Sequence, residues 1–132
     1  MRGMPMSLDS LEAFKESLVS VELVTPLALS FRGPQAKRAA EQLILAAESV
    51  TSNIAEGYGK GICPDQVRYL KIAHASNYEV EGRLRSAVAA RRIEDCPELQ
   101  LALRQVRRTR SLIQGYMRYV EKQVTASHCK SL

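Results

Sequence analysis

The sequence predicts an all-α fold, an antiparallel up-down four-helix bundle formed by a single domain over residues 1–132. Three observations carry this expectation. Apolar residues recur at spacings of three and four along most of the chain, the period of an amphipathic helix. No stretch alternates with the period of two that a half-buried strand requires. Glycine and proline gather at a few points and divide the chain into four long segments, the last three joined by short connections that favour oppositely directed neighbours. At 132 residues the chain is one domain by length and can bury one continuous core.

The first helix is expected over about residues 8–24, with Leu11, Phe14, Leu18 and Val21 forming its apolar stripe. Thr25-Pro26 should end it, because proline lacks a donor and restricts the residue before it. The second helix is expected over 34–57, opened by Gly33-Pro34 with proline in the first turn. Its stripe is Ala36, Ala39, Ala40, Leu43, Ala46, Ala47, Val50 and Ile54, small enough for a neighbouring helix to approach closely. Gly57, Gly59 and Gly61 should stop it by supplying positive φ.

Cys63-Pro64-Asp65 starts the third helix, expected over 64–91, where Leu70, Ala73, Asn77, Val80, Leu84 and Val88 share a face. Asp95-Cys96-Pro97-Glu98 has the form of a capping box before the fourth helix, expected over 97–125. There Leu99, Leu103, Val106, Arg110, Ile113, Met117, Val120 and Val124 keep a heptad that only Arg110 interrupts. An unpaired buried charge is costly, so Arg110 must snorkel outward or pair with a glutamate, across the bundle or from another subunit. Val19, Leu23, Ile44 and Leu45 lie off the stripes and together would make a patch for self-association.

Composition narrows the function. The chain is 45% hydrophobic and 25% charged, and it has no run of some 18 apolar residues, so neither disorder nor a membrane span is indicated. Met1-Arg2-Gly3-Met4-Pro5-Met6 leads into an amphipathic segment rather than a signal-peptide core, so the expected location is cytoplasmic. Cys63, Cys96 and Cys129 make no C-x-x-C pair and read as ordinary thiols. His74 and His128 have no apparent nucleophile partner. No catalytic constellation, metal site or cofactor is therefore expected, and the protein reads as a non-enzyme.

Charge is unevenly divided. Residues 1–66 hold 6 Lys/Arg against 8 Asp/Glu, a net of −2, whereas residues 67–132 hold 13 against 6, a net of +7. A basic second half suits an anionic partner, although a solvated basic face gives the same balance. On a helical projection Arg104, Arg107, Arg108, Arg118 and Lys122 of the fourth helix fall within about 100°. Arg104, Arg108, Ser111, Gly115, Arg118 and Lys122 form a second seam, basic at both ends and small in the middle. Gly115 costs a helix interior roughly 1 kcal/mol relative to alanine, which suggests close packing there. Arginine suits bidentate phosphate or carboxylate contacts. Tryptophan is absent and no tyrosine interleaves the seam, so backbone contact is expected rather than base stacking.

Other clusters have a chemical and a structural reading. Asn53, Glu56, Ser76, Glu79 and Glu81 would make a carboxylate site if they converged. No Glu-x-x-His of the di-iron type occurs, which favours hydrogen bonding at helix packing or subunit contacts. Gly57-x-Gly59-x-Gly61 follows a helix rather than a strand, so it reads as a helix end and not a phosphate cradle. Lys60 and Arg68 would place positive charge beside the start of the third helix.

Two blocks carry a resemblance. Asn53-Ile54-Ala55-Glu56-Gly57-Tyr58-Gly59-Lys60 fits N-I-A-E-G-x-G-R with lysine for arginine, and Tyr69–Glu81, with Ser76 and Glu79, resembles F-L-x-I-A-x-G-S-x-x-E-L-E with Tyr69 for phenylalanine, Ala75 for glycine and Val80 for leucine. Gln35 with Arg38-Ala39-Ala40 fits Q-x-x-R-A-A upstream. Over about residues 30–92 the chain thus resembles the bacterial 23S rRNA intervening-sequence proteins, the four helix bundle protein family, to which accessory variability determinants of diversity-generating retroelements are similar. The resemblance implies a ring-like homopentamer with a basic central channel. It also implies, by analogy with the accessory proteins, a reverse transcriptase or other nucleic-acid enzyme as partner. The expected function is a non-enzymatic homo-oligomeric adaptor that binds RNA or DNA backbone through Arg104, Arg107, Arg108, Arg118 and Lys122. The alternative is a purely structural oligomer whose arginines bridge subunits.

Overall fold

Apolar periodicity becomes four helices in the computed structural model, which describes residues 7–131, with side chains over 7–127. A 3-10 turn at Leu8–Ser10 leads to α1 (Glu12–Leu29), α2 (Ala36–Gly59), α3 (Pro64–Ala89) and α4 (Pro97–Ser131), and there is no strand among the described residues. Residues 1–6 and the side chains of His128 and Cys129 lie outside what is described. The helices enclose one core in which Leu43, Ile54, Leu70, Leu84, Ile113 and Val120 have no exposed surface. Each such residue contributes ~1.5–3 kcal/mol through burial. No described helix is long and apolar enough to cross a membrane.

α1 departs most from expectation. It runs through Pro26 to Leu29 rather than stopping at Thr25. Proline deprives the Glu22 carbonyl of its helical donor, but Glu22 and Pro26 are both exposed, so water can satisfy it. Val24, Leu27 and Ala28 are buried on the other side and hold the last turns in place. The inner line is also rotated from the expected stripe. Leu18 is 41% exposed, while Ala13, Ser17, Ser20 and Val24 face inward. Hydroxyl pairs make that polar line tolerable: Ser20 Oγ meets Thr109 Oγ1 at 3.1 Å, and Thr51 Oγ1 donates to Ser17 Oγ at 3.0 Å.

α2 begins after Pro34, with Gln35 as its N-cap residue. Gly57, expected to stop the helix, is instead a buried helical residue. A Cβ there would lie 3.0 Å from Tyr69 Cβ and 3.2 Å from the Gln66 carbonyl oxygen, so its smallness lets α3 approach. The positive φ falls at Gly61, at 76°. Gln66, fully buried, donates from Nε2 to the Gly61 carbonyl and accepts the Tyr116 hydroxyl at 2.7 Å, tying the turn to α4. Burial raises the Tyr116 hydroxyl well above the ordinary phenol range.

α1 packs against α2 and α4, and α3 packs against the same two helices. Along α2 and α3 the contacts run Gln42 with Arg83, Ser49 with Ser76, and Gly57 with Gln66. At one end the Arg32 amide donates to the Arg92 carbonyl at 3.0 Å, joining the two loops that precede α2 and α4. Asp95 accepts Gln100 Nε2 at 2.7 Å at the start of α4. Of the expected apolar patch, Leu23 and Ile44 pack against the core and Val19 is half-buried, whereas Leu45 is exposed.

Candidate nucleic-acid interface

The inner face of α4 buries Leu99, Ala102, Leu103, Val106, Thr109, Ile113, Tyr116 and Val120, which fixes what the opposite face presents. Leu101, Arg104, Arg108, Ser111, Gly115, Arg118 and Lys122 are all exposed there. Among the described residues no atom beyond its own turn of α4 would lie within 4 Å of a Cβ on Gly115, so no packing described within the chain explains that glycine. Among the described residues Arg104, Arg118 and Lys122 have no ion pair.

Arg107 and Arg108 flank this crest and are drawn to opposite sides. Arg107 Nη2 lies 3.0 Å from Glu81 Oε2 on α3, and Arg108 Nε lies 2.9 Å from Glu16 Oε1 on α1. Their side chains remain 49% and 62% exposed, so each keeps guanidinium surface for a ligand. Glu16 also accepts Gln105 Nε2 at 3.0 Å. That bond first, and the one from Arg108 second, lowers the Glu16 carboxyl below its ordinary range.

Glu81 gathers two further arginines. Arg85 Nη1 approaches it at 3.3 Å and Arg110 Nη2 at 2.7 Å. Arg110 therefore finds its glutamate across the bundle, inside the same chain. Its Nε donates to Asn77 Oδ1 at 2.8 Å, and Asn77 in turn donates to the Val106 carbonyl at 3.0 Å. Its guanidinium also lies 3.8 Å from the centre of the Tyr78 ring, a cation–π contact. Hydrogen bonds from Arg107 first and Arg110 second hold the Glu81 carboxyl down to about 2. Glu81 is thus charged throughout the neutral range, and it offsets only one of three positive charges.

The remaining motif residues serve helix contacts. Asn53 Nδ2 donates to the Ser49 carbonyl at 2.8 Å and to Ser49 Oγ at 3.1 Å, and Ser49 Oγ meets Ser76 Oγ at 2.9 Å. Glu79 pairs with Arg83 at 2.7 Å, and Glu56 is exposed. Gly59 closes α2 and Lys60 is its C-cap residue. The Lys60 ammonium and the Arg68 guanidinium lie 5.8 and 4.5 Å from the Tyr69 ring centre, and Arg68 also pairs with Asp65 at 3.2 Å. His74 is half-buried and meets Tyr78 edge-on at 5.4 Å; burial and then Arg110 lower its pKa. Cys63 and Cys96 are free thiols. Among the described residues no group of three or more His, Cys, Asp or Glu is placed to hold a metal ion.

Sequence reasoning missed Glu16, Gln105, Gln66 and Tyr116. Glu16 and Arg108 stand 92 positions apart, with no local spacing to connect them. Local spacing signals the pairs within α3, Glu79 with Arg83 and Glu81 with Arg85 at i and i+4, but not those that reach α4. Residues 9–115 match the family described as 23S rRNA-intervening sequence protein. Among curated proteins nothing matches. The matched span includes Arg104, Arg107 and Arg108 and ends before Arg118 and Lys122.

Proposed function

The chain belongs to the 23S rRNA-intervening sequence protein family, and from that premise we propose a non-enzymatic adaptor that binds RNA or DNA backbone along the outer face of α4. The observation that carries this reading is the row of Arg104, Arg118 and Lys122, exposed and without acidic partners among the described residues. Arg107 and Arg108 widen the basic surface while anchored to Glu81 and Glu16. Such a surface neutralises phosphates without reading bases, so binding is sequence-independent and falls with salt. The adaptor is a cytoplasmic homo-oligomer, a ring-like pentamer of antiparallel up-down bundles. The run of contacts from Gln42–Arg83 to Gly57–Gln66 supports the antiparallel arrangement. The pentamer, and a reverse transcriptase or other nucleic-acid enzyme as partner, rest on the resemblance alone.

Titration of an arbitrary RNA and an arbitrary DNA against salt tests the reading. Affinity should fall steeply with salt, and Arg104→Gln or Arg118→Gln should each reduce the slope by about one counterion. Absence of binding at low salt would overturn it. A second reading, a structural oligomer without nucleic acid, is favoured by Gly115 and by the exposed Leu101 nearer the start of the same α4 face, which suit a helix from another subunit. Loss of the oligomer in Arg104→Gln, measured by sedimentation, would support that reading instead.

A further inference from the structure

The segment Gln35–Arg38-Ala39-Ala40 has no part in the α4 face. Its Gln35, Arg38 and Ala39 form one wall of a groove of about 410 Å³ between the start of α2 and the end of α3. Arg38 and Gln42 line it from α2, Arg83 and Ser86 from α3, and Arg92 from the loop beyond. Three guanidinium groups thus converge on a cleft with no carboxylate among its lining residues. Arg83 is held in place by Glu79 at 2.7 Å and by Gln42 Oε1 at 2.9 Å. One acid therefore faces three bases, and the groove stays electropositive.

Two further observations point to a missing acceptor. Arg92 Nε is buried and has no hydrogen-bond partner. A desolvated cationic donor left unpaired is unfavourable unless something arrives to accept from it. The first turn of α2 has no acidic residue and carries Lys37 and Arg38 at the positive end of the helix dipole. Cations there add to an existing positive potential instead of relieving it. Among the described residues the non-glycine positions with positive φ are Gln35 at 63° and Arg91 at 58°, at this groove and next to Arg92. Backbone strain of this kind persists where the surroundings hold a side chain in a needed place.

We propose that this groove binds a phosphate group, with Arg38, Arg83 and Arg92 as its ligands and Gln35 and Ser86 as neutral donors at the rim. Guanidinium forks match the paired oxygens of phosphate, and three of them suit a dianion better than a single carboxylate. The site is separate from the α4 crest, because α2 and α4 each pack on α1 and α3 and lie diagonally across the bundle. It does not rest on the nucleic-acid reading. The phosphate has two possible sources, a free phosphate or nucleoside monophosphate and a phosphate within an RNA chain.

Calorimetric titration at low salt with inorganic phosphate, adenosine monophosphate and a short oligoribonucleotide separates the sources. Binding of either small probe, weakened tenfold or more by Arg38→Gln and by Arg92→Gln, supports a free-phosphate site. Binding of the oligoribonucleotide alone, weakened by the same substitutions, assigns the groove to a chain phosphate. Arg104→Gln should leave binding of the small probes unchanged, which distinguishes this site from the α4 face. Arg38 is exposed, so Arg38→Gln should keep the native melting curve; Arg92→Lys, which keeps the charge and loses the fork, should fall between wild type and Arg92→Gln. No binding of any probe, or equal binding by wild type and Arg38→Gln, would overturn the proposal.

Discussion

Arg110 Nη2 lies 2.7 Å from Glu81 Oε1, and both side chains are only 14% exposed. Arg110 stands at a heptad position otherwise filled by apolar residues on α4, and its partners Asn77, Tyr78 and Glu81 all come from α3 of the same chain. Loss of Glu81 would leave Arg110 without its carboxylate, whereas loss of Arg110 would leave Glu81 with Arg107 and Arg85.

Glu81→Gln should destabilise the protein by ~2 kcal/mol, since two arginines lose a charged acceptor and Arg110 loses it under partial burial. Arg110→Met alone should cost less, because methionine fills the space and Glu81 keeps Arg107 and Arg85. The double variant should lie closer to Arg110→Met than the sum of the two effects. Urea unfolding of the four proteins measures the coupling.

The same carboxylate makes stability depend on acid. Its folded pKa, about 2, lies below the ordinary 4.5, so the unfolded chain takes up the proton first. The stabilisation is complete above about pH 4.5 and drains away as pH falls toward 2, a loss of ~1–2 kcal/mol after solvent screening. Glu16 adds to the slope in the same direction. Unfolding free energies at pH 6, 4 and 3 should fall in wild type and fall less in Glu81→Gln.

Two helical glycines should respond with opposite signs. Gly57→Ala places a methyl 3.0 Å from Tyr69 Cβ and 3.2 Å from the Gln66 carbonyl oxygen, and should cost ~1–3 kcal/mol by overpacking. Gly115→Ala meets no described atom beyond its own turn of α4 within 4 Å and should stabilise the isolated chain by ~0.5–1 kcal/mol through helix propensity. Thermal melts of both, at a concentration where sedimentation gives a single species, make the comparison.

Tyr116→Phe removes the hydroxyl that Gln66 Oε1 accepts and leaves that buried oxygen unpaired. The expected loss is ~1–2 kcal/mol. Gln66→Leu combined with Tyr116→Phe should recover part of it. Chemical denaturation of the single and double variants is the measurement.

The helices were legible because α2, α3 and α4 present their apolar residues at regular spacing. Leu43, Ile54, Leu70, Leu84, Val106 and Ile113 sit in the core as the period places them. α1 was legible only in part: Leu11 is buried and Phe14 and Val21 pack on the core as the period places them, but Leu18 is exposed, while Ser17 and Ser20 are buried through partners on α2 and α4 that no local pattern reveals. Gly57 was legible as special but not in its reason, which depends on where Tyr69 comes to rest. The arginine face of α4 followed from helical projection. That Arg107 and Arg108 lean toward different carboxylates followed only from the assembled bundle.

The serine line of α1 also ranks the helices by how firmly they hold. Ser17 and Ser20 join α2 and α4 through hydroxyl pairs, whereas α3 buries Leu70, Val80 and Leu84 beside its polar Gln66, Ser76 and Asn77. Among the described residues Leu11 is the one large buried side chain before Val24, so the amides in the first half of α1 should exchange with solvent sooner than those of α2 or α3. Peeling would begin there and stop at Val24, Leu27 and Ala28, the buried last turns of α1.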